Sequence, residues 1–518
     1  MSLANNPLLP GCYPDPSICR VGEDYYLVTS TFEYLPGLPV FHSRDLVSWE
    51  QVGHVVDRPG QLDFDGIASS GGLYAPTIRH HDGLFWVVCT LVDQQDDERG
   101  GNFLMTATDA AGPWSDPVWL DVHGIDPSIF FDDDGRVWLH GTRLARESQW
   151  HDQTEVWVRE LDRTTLTLIG PEHVVWNGAL RDVVWAEAPH LYKVDGRYYL
   201  LAAEGGTEFH HAVSVARADA VTGPYVGNKA NPVLTHRHLG RDSDVVGAGH
   251  ADLVEAADGS WWAVLLAMRP YGGYHYNLGR ETFLVPVVWE DGWPVFAPGG
   301  GRVPAQVEVP FAGAATLGDA QGRTSGVVLP GDLRWTALRR LPSEVATPAG
   351  EGWAIPVTST TLAEPYTPGF LGVRQQQADV DVRVTVRVEG DDPRGEEVGL
   401  VVRQSEKDQV RVFVTGTAGD DRAVAVHRRA GVETVLGEVA LGAAGAVTLT
   451  IKARQQDYAL LAGVVGHDPV VVAVADGRTL DSVATGGFLG LWIGVYATSN
   501  GKPTARVAHV ERFEYLPV

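Results

Sequence analysis

Only three cysteines occur in the 518 residues, Cys12, Cys19 and Cys89, with no CxxC pair and no zinc-ligand spacing. A disulfide scaffold and a structural zinc site are thereby excluded, and the three read as buried thiols. No apolar run approaches the ~18 residues of a membrane span. The stretch Met1 to Pro10 carries neither a basic nor an apolar segment, so no secretory signal is expected and a cytoplasmic location is. Positive charge is scarce: 40 Lys and Arg against 66 Asp and Glu leave a net charge of −26. Such a surface repels phosphate backbones and anionic membranes, which removes nucleic acid and membrane from the expected partners. A neutral or weakly charged small partner fits, or the acidity serves solubility alone; a homo-oligomer is compatible with either. HExxH and GxSxG are absent. Asp132-Asp133-Asp134-Gly135 lacks the alternating ligand spacing of an EF-hand, and Gly299-Gly300-Gly301 lacks the strand–helix context of a phosphate cradle.

Turn formers and aromatics are plentiful, with 59 Gly, 31 Pro and 16 Trp, as suits an all-β protein. One pattern recurs five times: a short polar start, an apolar strand, a turn, then an aromatic strand. It reads DPSICRVGEDYYLVTS from Asp15, APTIRHHDGLFWVVCT from Ala75, DPSIFFDDDGRVWLHG from Asp126, APHLYKVDGRYYLLAA from Ala188 and ADLVEAADGSWWAVLL from Ala251. The starts lie 60, 51, 62 and 63 residues apart. Asp-Gly turns between the two strands mark four of the five units as β-hairpins, and Gly22-Glu23-Asp24 takes that place in the first. Hairpin plus outer strands gives a sheet of roughly 50–60 residues, the size of a propeller blade. The expected fold is a five-bladed β-propeller over residues 1–305.

Residues 306–325 lack strand alternation and are expected to be a linker. Beyond it, period-2 runs such as ADVDVRVTVRV, EVGLVVRQ and QVRVFVTG, separated by Gly and Asp turns, predict a β-sandwich domain over 326–518.

In a propeller, equivalent positions at the start of each innermost strand converge on the central channel. Here those positions are Asp15, Tyr74-Ala75, Asp126, Glu187-Ala188 and His250-Ala251, so three carboxylates, a histidine and a tyrosine ring one mouth. Three carboxylates held together without a use are expensive. Hydrolysis of a glycosidic bond with inversion needs one protonated carboxyl to supply the leaving oxygen and one carboxylate to activate water. A third carboxylate raises the acid's pKa by like-charge repulsion.

The stretch NPLLPGCYPDPSICRVGEDYYLVTSTFEYLPGLPVFHSRDLVSW resembles the opening of glycoside hydrolase family 43 enzymes. The likeness continues through GGLYAPTIR, GIDPSIFFDDDGRVWLHGT, EAPHLYKVDGRYYLLAAEGGT, GHADLVE and LGRETFLVPV. The C-terminal PGFLGVRQQQ and ERFEYLPV resemble the β-sandwich of the branch that holds β-xylosidases and α-L-arabinofuranosidases. The resemblance implies an inverting exo-glycosidase that releases terminal pentoses from small oligosaccharides. It makes Asp15 the general base, Glu187 the general acid, and Asp126 the residue that orients the acid and raises its pKa. Many relatives have Gly where this chain has Ala188.

Further residues follow with alternatives open. Arg280 resembles the arginine that contacts the terminal sugar, with its charge near the general base; otherwise it pairs with Glu281 or another surface acid. His250 hydrogen-bonds the trio, helps hold a cation such as calcium in the channel, as among relatives, or only packs. Tyr74, Phe32 and Thr207 are candidates for sugar binding or for the core. No cofactor is required by the chemistry. The competing reading is a non-catalytic carbohydrate-binding propeller, since a fold alone implies no reaction.

Overall fold

The computed structural model describes residues 2–96, 98–310, 324–389, 395–417 and 420–518. Helix among them is confined to Pro342–Val345, Ser482–Thr485 and one 3-10 turn, Gly477–Thr479. Each repeated unit opens an antiparallel sheet of four or five strands. The innermost strands are Ser17–Val21, Thr77–His81, Ile125–Phe131, Glu187–Val194 and Val246–Glu255. Their hairpins turn where the sequence places Asp-Gly. Asp82-Gly83 and Asp195-Gly196 are left-handed at both positions, the geometry that joins two twisted strands with two residues.

Apolar side chains fill the space between consecutive sheets, and between the fifth and the first. Val28 and Val40 meet Ile78 and Val87, and Trp86 and Val88 meet Leu139 and Trp157. Trp138 and Val156 meet Leu191 and Leu200, then Leu201 and Val213 meet Leu253 and Leu265. Trp262 and Val264 complete the circuit against Leu27 and Phe41. The five sheets therefore form a closed ring.

The seam of the ring corrects the expected linker. Gln306–Val309 is a strand, paired antiparallel with Ser2–Asn5. Val307 and Val309 are buried while Gln306 and Glu308 are exposed, a short alternation that the neighbouring Ala and Gly residues obscure. Residues 311–323 of that segment lie outside the described residues.

The C-terminal part is two facing sheets. One runs from Thr347–Ala349 through Val507–Pro517 and Asp379–Glu389 to Val470–Asp476; the other joins Gly369–Arg374, Trp492–Thr498 and Glu397–Arg403 to the strands that follow. A single apolar core of Val, Leu, Ile and Trp lies between them. This sandwich is docked firmly on the ring. Ala337–Leu338 pairs with Tyr34–Leu35, and the Tyr34 ring stacks on Trp492 at 3.9 Å. The fully buried Arg403 guanidinium meets Glu33 at 3.2 Å, the Tyr34 hydroxyl at 2.8 Å and Glu406 at 3.0 Å. All three cysteines are free and buried.

Candidate active site

Backbone conformation, rather than side-chain choice alone, aims the carboxylates. Asp15, Asp126, Ala188 and His250 all have left-handed φ values, between 50° and 55°. Three of the four sit inside register shifts of the inner strands, between Ile125 and Ser128, Glu187 and His190, and Gly249 and Ala251. A bulge of this kind turns a side chain away from the regular alternation, and bulges gather beside active sites. At Ala188, with φ 51°, a methyl group occupies a conformation that glycine adopts freely. The alanine there costs roughly 1–2 kcal/mol of local strain.

Asp15 is buried and surrounded by donors. Arg280 Nη1 donates to its Oδ1 at 2.9 Å, Ser30 Oγ to its Oδ2 at 2.5 Å, and His250 Nδ1 lies 3.3 Å from Oδ1. Burial alone would raise this carboxyl, but Arg280, His250 and Ser30 outweigh it and hold it well below the usual range. Asp15 is therefore ionised.

The other two carboxyls are displaced the opposite way. Burial pushes Asp126 up to about 6; Asp15 adds to this, while His250, the Ala188 N–H at 3.1 Å and Arg280 oppose it. Glu187 is raised well above its ordinary value by burial first, then by the charges of Asp126 and Asp15. One site thus holds a carboxyl displaced downward and two displaced upward.

The Asp126 displacement has a consequence for stability. Below about pH 4 the group is largely protonated in both states. As pH rises from there to about 6 the unfolded chain gives up this proton while the buried group keeps it, so stability is lost across that window and the loss is complete above it. Asp126→Asn is expected to melt like the wild type at pH 4 and to be more stable at pH 8 by about 3 kcal/mol. Thermal or urea melts at the two pH values check this; parallel losses at both would contradict it.

Arg280 does not pair with Glu281. Glu281 is taken by Arg269, at 2.7 and 2.8 Å, and by the Gly11 N–H. Arg280 instead bridges Asp15 and the Thr207 hydroxyl, 3.0 Å away, which brings Thr207 into the site. Its guanidinium also lies over Phe32 and Phe488, 5.6 and 5.5 Å from the ring centroids. Phe32, Tyr74 and Phe488 form one aromatic wall, with centroids 5.7 to 6.0 Å apart. Phe32 is almost wholly buried, whereas Tyr74 is partly open and its hydroxyl accepts from Gln94 at 2.9 Å.

Phe488 belongs to the sandwich, and sequence reasoning missed it. Its N–H donates to Ser70 Oγ at 2.9 Å, pinning a sandwich loop against the ring. The local signal was a lone aromatic within Gly486-Gly487-Phe488-Leu489-Gly490. Its destination depends on how the two domains dock, which no local pattern encodes.

A calcium ion in the channel does not suit the residues present. Calcium takes roughly six to eight oxygen ligands, and two of the channel carboxylates are already bound to cationic or hydroxyl donors: Asp15 as above, Asp252 to Arg79, Tyr192 and Ser17. His190 accepts from Arg79 Nη2 through Nδ1, at 3.1 Å, so its Nε2 carries hydrogen and cannot ligate. Among the described residues no group of three or more His, Cys, Asp or Glu could hold a metal ion.

The model of glycosyl hydrolases family 43 matches residues 4–294. That of the beta xylosidase C-terminal concanavalin A-like domain matches 332–516. A xylosidase/arabinosidase of Butyrivibrio fibrisolvens is 38% identical, covering 97% of each chain. A non-reducing end α-L-arabinofuranosidase of Bacteroides ovatus is 36% identical over 98% of this chain and 94% of its own. Among solved structures, a xylan β-1,4-xylosidase from Bacillus halodurans superposes with a TM-score of 0.90 at 31% identity, over 99% of this chain and all of that one. Likeness of this extent, through ring and sandwich alike, shows that the chain belongs to glycosyl hydrolase family 43.

Proposed function

We propose that this glycoside hydrolase is an inverting exo-enzyme that releases terminal pentoses, β-D-xylose and α-L-arabinofuranose, from small oligosaccharides. The five sheets are read as the blades of one propeller over residues 1–305, with the sandwich over 326–518. The observation that carries the reading is the opposed ionisation of Asp15 and Glu187 in one layer. Asp15, ionised, takes the proton of a water attacking the anomeric carbon. Glu187, protonated, gives its proton to the departing oxygen. Asp126 keeps Glu187 protonated by its charge and binds the Ala188 N–H next to it. Arg280 and His250 hold Asp15 ionised, and Arg280 is placed to reach a sugar hydroxyl.

Two features support exo cleavage of a pentose. The aromatic wall of Phe32, Tyr74 and Phe488 offers an apolar face, on which a sugar ring stacks. The Phe488 loop, lent by the sandwich, narrows the pocket on one side. The relatives named above carry both xylosidase and arabinofuranosidase names, so both pentoses are assigned. Nitrophenyl β-D-xyloside and α-L-arabinofuranoside, assayed side by side, test this: turnover of at least one is expected. Sugar binding without turnover of either would make the chain a binding protein. Phe488→Ala is expected to raise KM about tenfold with kcat nearly unchanged, as for a contact made equally in ground and transition states. An unchanged KM would remove Phe488 from the pocket.

A further inference from the structure

A second layer of polar side chains lies immediately beyond the carboxylate layer, on the same strands. Ser17, Ser128 and Asp252 are two residues beyond Asp15, Asp126 and His250, and His190 is three beyond Glu187. Arg79 enters from the remaining inner strand. Its guanidinium grips Asp252 with both terminal nitrogens, at 2.8 and 3.0 Å. The same carboxylate accepts from Ser17 Oγ at 2.7 Å, the Ile18 N–H at 3.0 Å and Tyr192 OH at 2.5 Å. Arg79 also reaches Ser17 Oγ at 3.2 Å and His190 Nδ1 at 3.1 Å, and Ser128 Oγ meets that same nitrogen at 3.1 Å. One network therefore ties all five inner strands together.

We propose that Arg79, clamped on Asp252, is a positioning residue that takes the structural part of a channel cation and holds the catalytic layer in its left-handed backbone conformation. Left-handed non-glycine residues persist only where their surroundings over-determine them. Here four of them stand in one ring, each two residues from a member of the network. A guanidinium suits the task because its rigid fork fixes direction as well as charge. It also occupies Asp252, whose carboxylate lies 3.9 Å from His190, so a divalent ion would have to displace it. His190 is held neutral, lowered to about 3 chiefly by burial, and adds no charge to the layer.

The inference rests on the trio being catalytic, and the experiment separates the two. Wild-type enzyme is exhaustively chelated, then given calcium, magnesium or manganese, with kcat, KM and melting temperature followed throughout. None is expected to change; loss on chelation with recovery on one metal would overturn the proposal. Arg79→Lys and the charge-balanced Arg79→Met/Asp252→Asn are compared with Arg79→Met, which leaves Asp252 buried without its cation. Arg79→Met is expected to melt roughly 10 °C lower. The double variant should recover much of that loss yet remain about 10²-fold down in kcat, with KM little altered, because the carboxylates are misplaced. Millimolar guanidinium should restore part of the activity of Arg79→Met, and Arg79→Lys should fall between it and wild type. Full kcat in a folded double variant would overturn the positioning role. Asp15→Asn, assayed alongside, distinguishes the cases: if it too keeps full activity, the reading of the trio fails instead.

Discussion

Asp15→Asn is expected to lose up to about 10⁴-fold in kcat on every substrate, activated aryl glycosides included. The reason lies in what Asp15 does and what can replace it. A good leaving group removes the need for an acid, but no leaving group deprotonates the attacking water. Asparagine keeps one oxygen to accept from Arg280, and its amide group donates to the Ser30 hydroxyl in place of the second carboxylate oxygen, so the pocket's hydrogen bonds survive while the base is lost. Added azide, a nucleophile that needs no deprotonation, should restore turnover of an activated glycoside and yield the glycosyl azide. A variant that stays active with water on aryl substrates would take the base role from Asp15.

Glu187→Gln is expected to divide substrates by leaving group. On an unactivated disaccharide the loss should be on the order of 10³-fold, whereas on a dinitrophenyl glycoside it should stay within about tenfold. The pH profile supplies a second reading. Glu187 is raised well above its ordinary value, so wild-type activity should persist above the usual carboxylate range and fall as rising pH ionises Glu187. Asp15, displaced downward, should set the acid limb, where falling pH protonates it. With the activated substrate, Glu187→Gln should lose the alkaline limb and keep the acid one. Equal losses on both substrates, or an unchanged alkaline limb, would argue that another group is the acid.

The ring and its carboxylates were legible because a repeat is a statement about space. Five units in register put Asp15, Asp126, Glu187 and His250 at equivalent places, and the left-handed backbone common to all but Glu187, whose neighbour Ala188 bears it, is the structural form of that register. Arg280 was legible, through the family resemblance, as a candidate with its charge near the general base, whereas the sequence alone left a pairing with Glu281 open. The adjacent Glu281 alternates to the other side of the strand and pairs with Arg269, while Asp15 reaches Arg280 from 265 residues away. Phe488 and the Gln306–Val309 strand escaped for the same physical reason. Each gains its role from a contact between distant segments, and four residues or one aromatic carry too little pattern to announce it. The channel network escaped too, since Arg79 and Asp252 look like ordinary inner-strand residues until the five strands close around them.

Everything proposed for catalysis turns on one carboxylate and one carboxylic acid working on opposite faces of the sugar. Proton NMR of the first minutes of hydrolysis tests that most directly, before the free sugar mutarotates. A β-xyloside should release α-xylose first, because water enters opposite to the departing group. Initial release of β-xylose would mean retention through a covalent intermediate, and would contradict the roles given to Asp15 and Glu187.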